Sequence, residues 1–189
     1  ELGFTIELID PVPGLPDMVY AANGGFVLDG IAYGAKFHYL ERQPEGPAYM
    51  EWFAAHGLAV VEPESTNEGE GDFLLVGDVI LAASGFRSDT SSHQEIAKIY
   101  GREVVSLQLI NPSFYHLDTA LAVIDSTTIA YLPSAFDEAS LEILRTRYPD
   151  AIIASEEDAA ILGLNSFSDG HNVVIAEKAV TFARDLRER

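Results

Sequence analysis

Apolar residues recur at helical spacing in four stretches, about Gly46–His56, Thr90–Tyr100, Glu138–Arg147 and Lys178–Glu188. In the second, Ile96, Ile99 and Tyr100 fall on one side; in the third, Leu141 and Leu144 do, with Ile143 beside them. That spacing marks amphipathic helices. Between them lie apolar runs too short for helices: Met18–Ala22, Phe26–Leu28, Ala59–Val61, Phe73–Val76, Val79–Ala82, Val104–Ile110, Ala120–Val123, Ile129–Leu132 and Ala151–Ile153. Bounded by polar and glycine-bearing turns, they read as strands. Gly77-Asp78 and Asp125-Ser126-Thr127 are short turns between strands of a pair, and Asn23-Gly24 is a hairpin signal. Asp137 is placed to cap the third helix, and Ser88 or Asp89 the second.

The helices return roughly every 40 to 50 residues with strand pairs between them, the mark of a modular α/β fold. About four such units fit in the chain, with no linker or low-complexity segment, so residues 1–189 read as a single domain. An open ring of such units exposes its ends, which leads us to expect that part of a unit is missing from this chain.

The charge changes the picture more than the composition does. With 30 acidic residues against 11 Lys and Arg, the formal net charge is −19. Such a chain repels phosphate backbones, so nucleic acid is not an expected partner. It suits solubility, or a cationic ligand if specific carboxylates gather. No apolar run approaches a membrane span, and no basic region followed by an apolar stretch opens the chain. A cytoplasmic location is the expectation. There are no cysteines, hence no disulfide, thiolate metal site or thiol nucleophile within these residues.

Four places carry candidate chemistry. In Phe114-Tyr115-His116-Leu117-Asp118-Thr119, His116 and Asp118 share a face if the segment is a strand. The pair then suits general base work or the orientation of a cation; a half-buried His bonded to its neighbour is the competing reading. In Glu68-Gly69-Glu70-Gly71-Asp72, two glycines permit unusual backbone and close approach amid three carboxylates; a solvated acidic turn is equally open. Asp17 and Asn23 bracket the Met18–Ala22 run, where both are also ordinary turn residues. Arg42 and Arg87 are isolated cations in an acidic chain, suited to gripping a ligand carboxylate or to an internal ion pair. His38, His56, His93 and His171 show no ligand-like grouping, and no phosphate loop, zinc spacing, calcium loop or Gly-x-Ser-x-Gly elbow occurs. No metal and no cofactor are expected.

Taken in order, these segments resemble one family. Pro13-Gly14-Leu15-Pro16-Asp17-Met18-Val19-Tyr20-Ala21-Ala22-Asn23 is similar to the first substrate loop of arginine dihydrolases and amidinotransferases. His38-Tyr39-Leu40-Glu41-Arg42 with Trp52-Phe53, Glu68–Asp72, Gly85-Phe86-Arg87-Ser88-Asp89, Phe114–Thr119 and Tyr131-Leu132-Pro133-Ser134-Ala135-Phe136-Asp137 follow in family order. The resemblance is to the guanidine-modifying (pentein) superfamily, which includes the dimethylarginine dimethylaminohydrolases.

It implies a five-bladed ββαβ propeller, incomplete in this chain, with the site at its centre. It implies hydrolysis of the guanidino group of arginine or a derivative through a covalent intermediate on a cysteine near the C-terminus. His116 would be the general acid and base. Glu68, with Glu70 as second choice, would be the site carboxylate. Asp17 and Asp118 would grip the guanidinium; Asp72 and Asn23 would join the substrate site, and Arg42 and Arg87 would bind the substrate carboxylate. Asn23 stands where the deiminases and dimethylarginine hydrolases usually carry Asp and the dihydrolases carry Asn.

The cysteine segment and the opening of the first blade are absent from the family pattern, so the chain is expected to be a fragment, inactive alone. Arginine to ornithine and ammonia is the leading reading. Dimethylarginine hydrolysis, deimination, amidino transfer and a non-catalytic arginine-binding protein are the alternatives, and a homo-oligomer is left open.

Overall fold

A computed structural model describes residues 2–188. In chain order the pattern hairpin, helix, parallel strand occurs three times. First come β1 (Gly25–Leu28), β2 (Ile31–Gly34), α1 (Glu45–Ala55) and β3 (Ala59–Val61). Next are β4 (Phe73–Val76), β5 (Val79–Ser84), α2 (Thr90–Tyr100) and β6 (Glu103–Gln108). The third repeat opens with a single helical turn, α3 (Leu117–Ala120), followed by β7 (Leu121–Val123), β8 (Ile129–Tyr131), α4 (Glu138–Arg147) and β9 (Ile152–Ile153). A fourth unit holds α5 (Glu156–Ala160), the hairpin β10 (Phe167–Ser168) and β11 (Val173–Val174), and α6 (Val180–Arg187). Among the described residues it has no third strand.

In each complete unit the second strand is central, antiparallel to the first and parallel to the third. A parallel neighbour needs a crossover, and α1, α2 and α4 supply it. The central strands are covered on both faces. Ile80, Leu81, Ala82 and Ala83 of β5 are inaccessible to solvent, as are Ala32 and Tyr33 of β2 and Ile129 and Ala130 of β8. Burial on both faces is why these strands read as continuous apolar runs rather than alternating ones.

Units meet through shared apolar clusters. Phe26 and Tyr33 of the first pack with Phe73, Ile80 and Ile96 of the second. The Phe26 ring meets Phe73 and Tyr100 edge-on at 6.1 and 5.4 Å, and the Tyr100 hydroxyl donates to the Phe26 carbonyl at 2.8 Å. On the outer side of the first unit, Trp52 stacks on His56, with ring centres 3.8 Å apart.

The sheets stay separate and none closes on itself, so the architecture is a mixed α/β fold of repeated small sheets. No helix is long and apolar enough to cross a membrane among the described residues.

Two expectations are corrected. Met18–Ala22 is not a strand but part of two 3-10 turns, Pro16–Val19 and Ala21–Gly24. Pro16 favours the first turn, and the Tyr49 hydroxyl ties it down by donating to the Met18 carbonyl at 2.7 Å. The first hairpin turns at Asp29-Gly30, with φ of 51° and 77°, and not at Asn23-Gly24. A two-residue turn of this hand needs positive φ at both positions, which Asp-Gly supplies.

The capping expectation for α4 holds: the Asp137 carboxylate accepts from the Ser140 N–H at 2.8 Å. Asp137→Ala is expected to lower unfolding free energy by about 1 kcal/mol, read from the midpoint of urea denaturation. An unchanged midpoint would show that the helix start is held by packing alone.

Candidate functional site

Several of the residues singled out in the sequence come from one recurrent place in the fold. Asn23 lies just before β1, Glu68 and Asp72 just before β4, and His116 and Asp118 just before β7. Asn165, which carries no local sequence signal, lies just before β10. Each unit therefore sends the entry segment of its first strand to a common centre, where a cavity of about 780 Å³ opens. Its size suits a small-molecule ligand. Asp17, Asn23, Arg42, Arg87, His116 and Asp118 all line it.

The His116 imidazole is buried between two carboxylates. Its Nε2 is 3.2 Å from Glu68 Oε2 and its Nδ1 is 3.3 Å from Asp72 Oδ2. The Nδ1 approach lacks hydrogen-bond alignment, so its attraction is mainly that of charge for charge. Burial works against the imidazolium, but contacts with Asp72 and Glu68 outweigh it and hold the pKa up at about 9. Burial likewise opposes the Glu68 charge, and His116 and Arg87 overcome it, keeping that carboxyl below its usual range.

Glu68 is fully enclosed and is the hub of the cluster. Arg87 Nη1 donates to its Oε2 at 3.1 Å, and the His38 N–H donates to its Oε1 at 3.2 Å. Asp72 accepts from the Ser88 hydroxyl at 2.6 Å and from the Leu117 N–H at 3.2 Å. Both carboxylates stand behind the imidazole, outside the cavity lining. Asp72, expected in the substrate site, stands beside His116 in a position suited to orient it.

The glycine-rich turn explains how the parts fit. Gly69 has φ of +54°, and a Cβ there would come within 2.4 Å of the Gly25 carbonyl oxygen. A Cβ on Gly71 would meet Asn23 Nδ2 at 2.4 Å and His116 Nδ1 at 2.9 Å. The close approach is by the Gly25 backbone at Gly69 and by the Asn23 and His116 side chains at Gly71. Glu70 faces elsewhere, onto a depression shared with Phe26, Leu75 and Ser168. Of the two, Glu68 is the one that lies beside His116.

His116 and Asp118 do not share a strand face. His116 precedes the turn α3, whose start is tied by Leu117 N–H to Asp72, and Asp118 lies in that turn. Asp118 Oδ1 is buried without a hydrogen-bond partner. Burial pushes its carboxyl up to about 7, although nearby His116 works the other way. Asn165 Nδ2 donates to the Asp118 carbonyl at 3.3 Å and braces that stretch.

Arg42 turns out to be paired internally. Nε and Nη2 donate to Glu45 at 3.1 and 2.9 Å, Nη1 donates to Asn23 Oδ1 at 3.0 Å, and Nη2 also reaches the Asp17 carbonyl at 3.2 Å. The internal ion pair is the alternative the structure favours, and with most of its donors engaged Arg42 has little left for a ligand carboxylate. Arg87 is sandwiched between Tyr39 and Tyr115, its guanidinium 4.6 and 4.4 Å from the two ring centres. Glu45, Tyr39, Tyr115 and Asn165 were missed because each is an unremarkable residue until folding brings its partner near. Of the two cap candidates for α2, Asp89 takes the N-cap position without a side-chain cap bond, and the Ser88 hydroxyl serves Asp72 and the Glu68 N–H instead.

The cluster has a pH signature. In an NMR titration His116 is expected to lose its proton near pH 9, and Glu68→Gln should lower that midpoint by a unit or more. The folded-state pKa lies above the unfolded value, about 6.5, so this pairing stabilises fully below pH about 6.5. That stability drains away as pH rises to about 9. A midpoint near 6.5 in the unaltered chain would refute the charge pairing.

No protein-family model matches the chain. Curated proteins and solved structures do. Over 186 residues the chain is 51% identical to an N(G),N(G)-dimethylarginine dimethylaminohydrolase of Mycobacterium tuberculosis, covering 98% of this chain and 62% of that protein. It is 37% identical over 189 residues to the bifunctional arginine dihydrolase/ornithine cyclodeaminase ArgZ of Synechocystis, covering 97% of this chain and 27% of that protein. The crystal structure of the N-terminal domain of ArgZ bound to product, an arginine dihydrolase from the ornithine-ammonia cycle in cyanobacteria, superposes with a TM-score of 0.93 at 36% identity. That match covers 96% of this chain and 69% of the ArgZ domain. The chain thus spans under two thirds of the length of either curated relative.

Proposed function

The chain belongs to the guanidine-modifying superfamily of the arginine dihydrolases and dimethylarginine dimethylaminohydrolases, and on that premise we propose that the protein containing it hydrolyses L-arginine to ornithine, ammonia and carbon dioxide. The observation that carries this reading is Asp118. Its Oδ1 is buried, unpartnered and set at the wall of a cavity beside His116. A buried acceptor without a partner is costly, and a planar cation with several N–H donors is the natural complement. Asp17 adds a second carboxylate to the same cavity.

In this scheme a thiolate attacks the guanidinium carbon. His116, held protonated between Glu68 and Asp72, delivers a proton to the departing ammonia. The neutral imidazole then takes a proton from the water that hydrolyses the thiouronium intermediate, returning the thiolate and leaving a ureido group. A second attack on the ureido carbon expels the second ammonia and leaves a thiocarbamate, which water hydrolyses to a carbamate that breaks down to ornithine and carbon dioxide. The thiol is not among these 189 residues, so the activity is assigned to the longer protein and the chain alone is inactive. The same reading makes the chain part of one propeller domain that further sequence would complete.

Asn23 supports the dihydrolase assignment. The 51% identity to the mycobacterial enzyme favours a second reading, hydrolysis of dimethylarginine to citrulline and dimethylamine.

Mass spectrometry of products from the full-length protein decides between them. Ornithine from arginine is expected, with a loss of at least about a hundredfold in His116→Ala. Undiminished turnover in that variant would remove His116 from the chemistry. Calorimetry with arginine on the chain alone should register binding that Asp118→Asn weakens about tenfold or more. No heat at millimolar arginine would argue against the cavity as a guanidinium site.

A further inference from the structure

Leu162 combines a strained backbone, an exposed side chain and a place at the central cavity. It follows α5 with φ of +58°, it is 48% exposed, and its exposed side chain lines the central cavity. A branched residue in the left-handed region is a backbone outlier, and such outliers persist only where the surroundings enforce them. Here they do. The Leu162 N–H donates to the Ala159 carbonyl at 2.8 Å, and the Gly163 N–H to the Asp158 carbonyl at 2.9 Å. Asp158 is itself buried and accepts from the Phe182 N–H at 2.5 Å, fastening the loop to α6.

A glycine would relieve the strain at 162, yet the neighbouring glycine stands one position later. At 163 a Cβ would come within 2.7 Å of the Asp158 carbonyl oxygen and 2.8 Å of the Ala179 Cβ, so packing requires glycine there. The left-handed position is left to a leucine whose side chain gains no burial in the core. Three residues on, Asn165 N–H donates to the Leu162 carbonyl at 3.1 Å while its side chain donates to the Asp118 carbonyl at 3.3 Å. Leu162 is thereby held on the Asp118 side of the cavity.

We propose that Leu162 is a specificity-determining residue, an apolar wall that limits the room beside Asp118 and so discriminates among guanidines by the bulk of their nitrogen substituents. This deepens the proposed function and rests on the cavity being the guanidine site. An apolar wall distinguishes ligands that differ by methyl groups through contact and exclusion, typically by about tenfold to two-hundredfold.

The test uses steady-state kinetics of the full-length protein, with L-arginine as substrate and asymmetric dimethylarginine as substrate or competing ligand. Trimming the wall in Leu162→Gly and Leu162→Ala should favour the dimethylated ligand over arginine by about tenfold. The melting temperature of Leu162→Gly should stay level or rise, because glycine is at ease at that φ. A core packing residue would show the reverse. A preference unchanged within twofold in both variants overturns the proposal. So does a shift in the glycine variant alone, since that would trace to backbone freedom and not to the lost side chain. If the unaltered protein neither turns over nor binds either guanidine, the underlying reading of the cavity fails, and the role of Leu162 falls with it. In that case the unaltered protein identifies the failure before any variant is made.

Discussion

His116 can keep a proton in a buried place only because Glu68 and Asp72 reach it from two sides. Burying a charge is expensive, and a lone imidazolium there would simply shed its proton. Two carboxylates reverse that preference but import the same problem, since they too are buried. The chain solves it outward in steps. Arg87, Ser88 and the His38 and Leu117 amides satisfy the carboxylates, and the rings of Tyr39 and Tyr115 flank Arg87. In a chain with 11 Lys and Arg against 30 acids, two of the arginines are committed to this neighbourhood. Much of the remaining negative charge faces solvent, where it is screened and of little consequence for the site.

The repeating architecture makes this possible. Because each unit contributes the segment entering its first strand, the centre is assembled from chain positions far apart in sequence. The imidazole belongs to the third unit and its two carboxylates to the second, so the ion cluster spans the seam between them. Its strength depends on how tightly the units seat against one another, through the shared apolar cluster that holds Leu81, Leu107, Leu117 and Leu121. Local opening at a seam would dissolve the cluster while each small sheet remained intact.

Much of this was legible in the sequence. The α2 and α4 helices and the β4 strand lie where periodicity put them, because burial of one helix face or of a whole strand leaves a regular trace. The motifs before β4 and β7 were also visible, as unusual clusters of carboxylate, glycine and histidine. What could not be read was direction. Nothing in the order of residues says that Glu68 faces inward and Glu70 outward, or that Arg42 spends its donors on Glu45. Those outcomes depend on one residue's rotation around a short turn and on partners from distant segments. The Met18–Ala22 run reads as a strand because its residues are apolar; Tyr49, a distant helix residue, ties it into 3-10 turns. Asn165 and Leu162 gave no local signal at all.

The stack of Trp52 on His56 has a consequence for how the protein can be watched. Trp52 is the sole indole in the chain, and the His56 imidazole lies flat against it. The His56 ring also sits 3.1 Å from Glu7 and 2.7 Å from the Trp52 carbonyl. Trp52 also packs against the apolar cluster of the first unit, so intrinsic fluorescence will track the seating of α1 on the first sheet. It is an optical reporter for the outer face of one unit, and a poor one for occupancy of the centre.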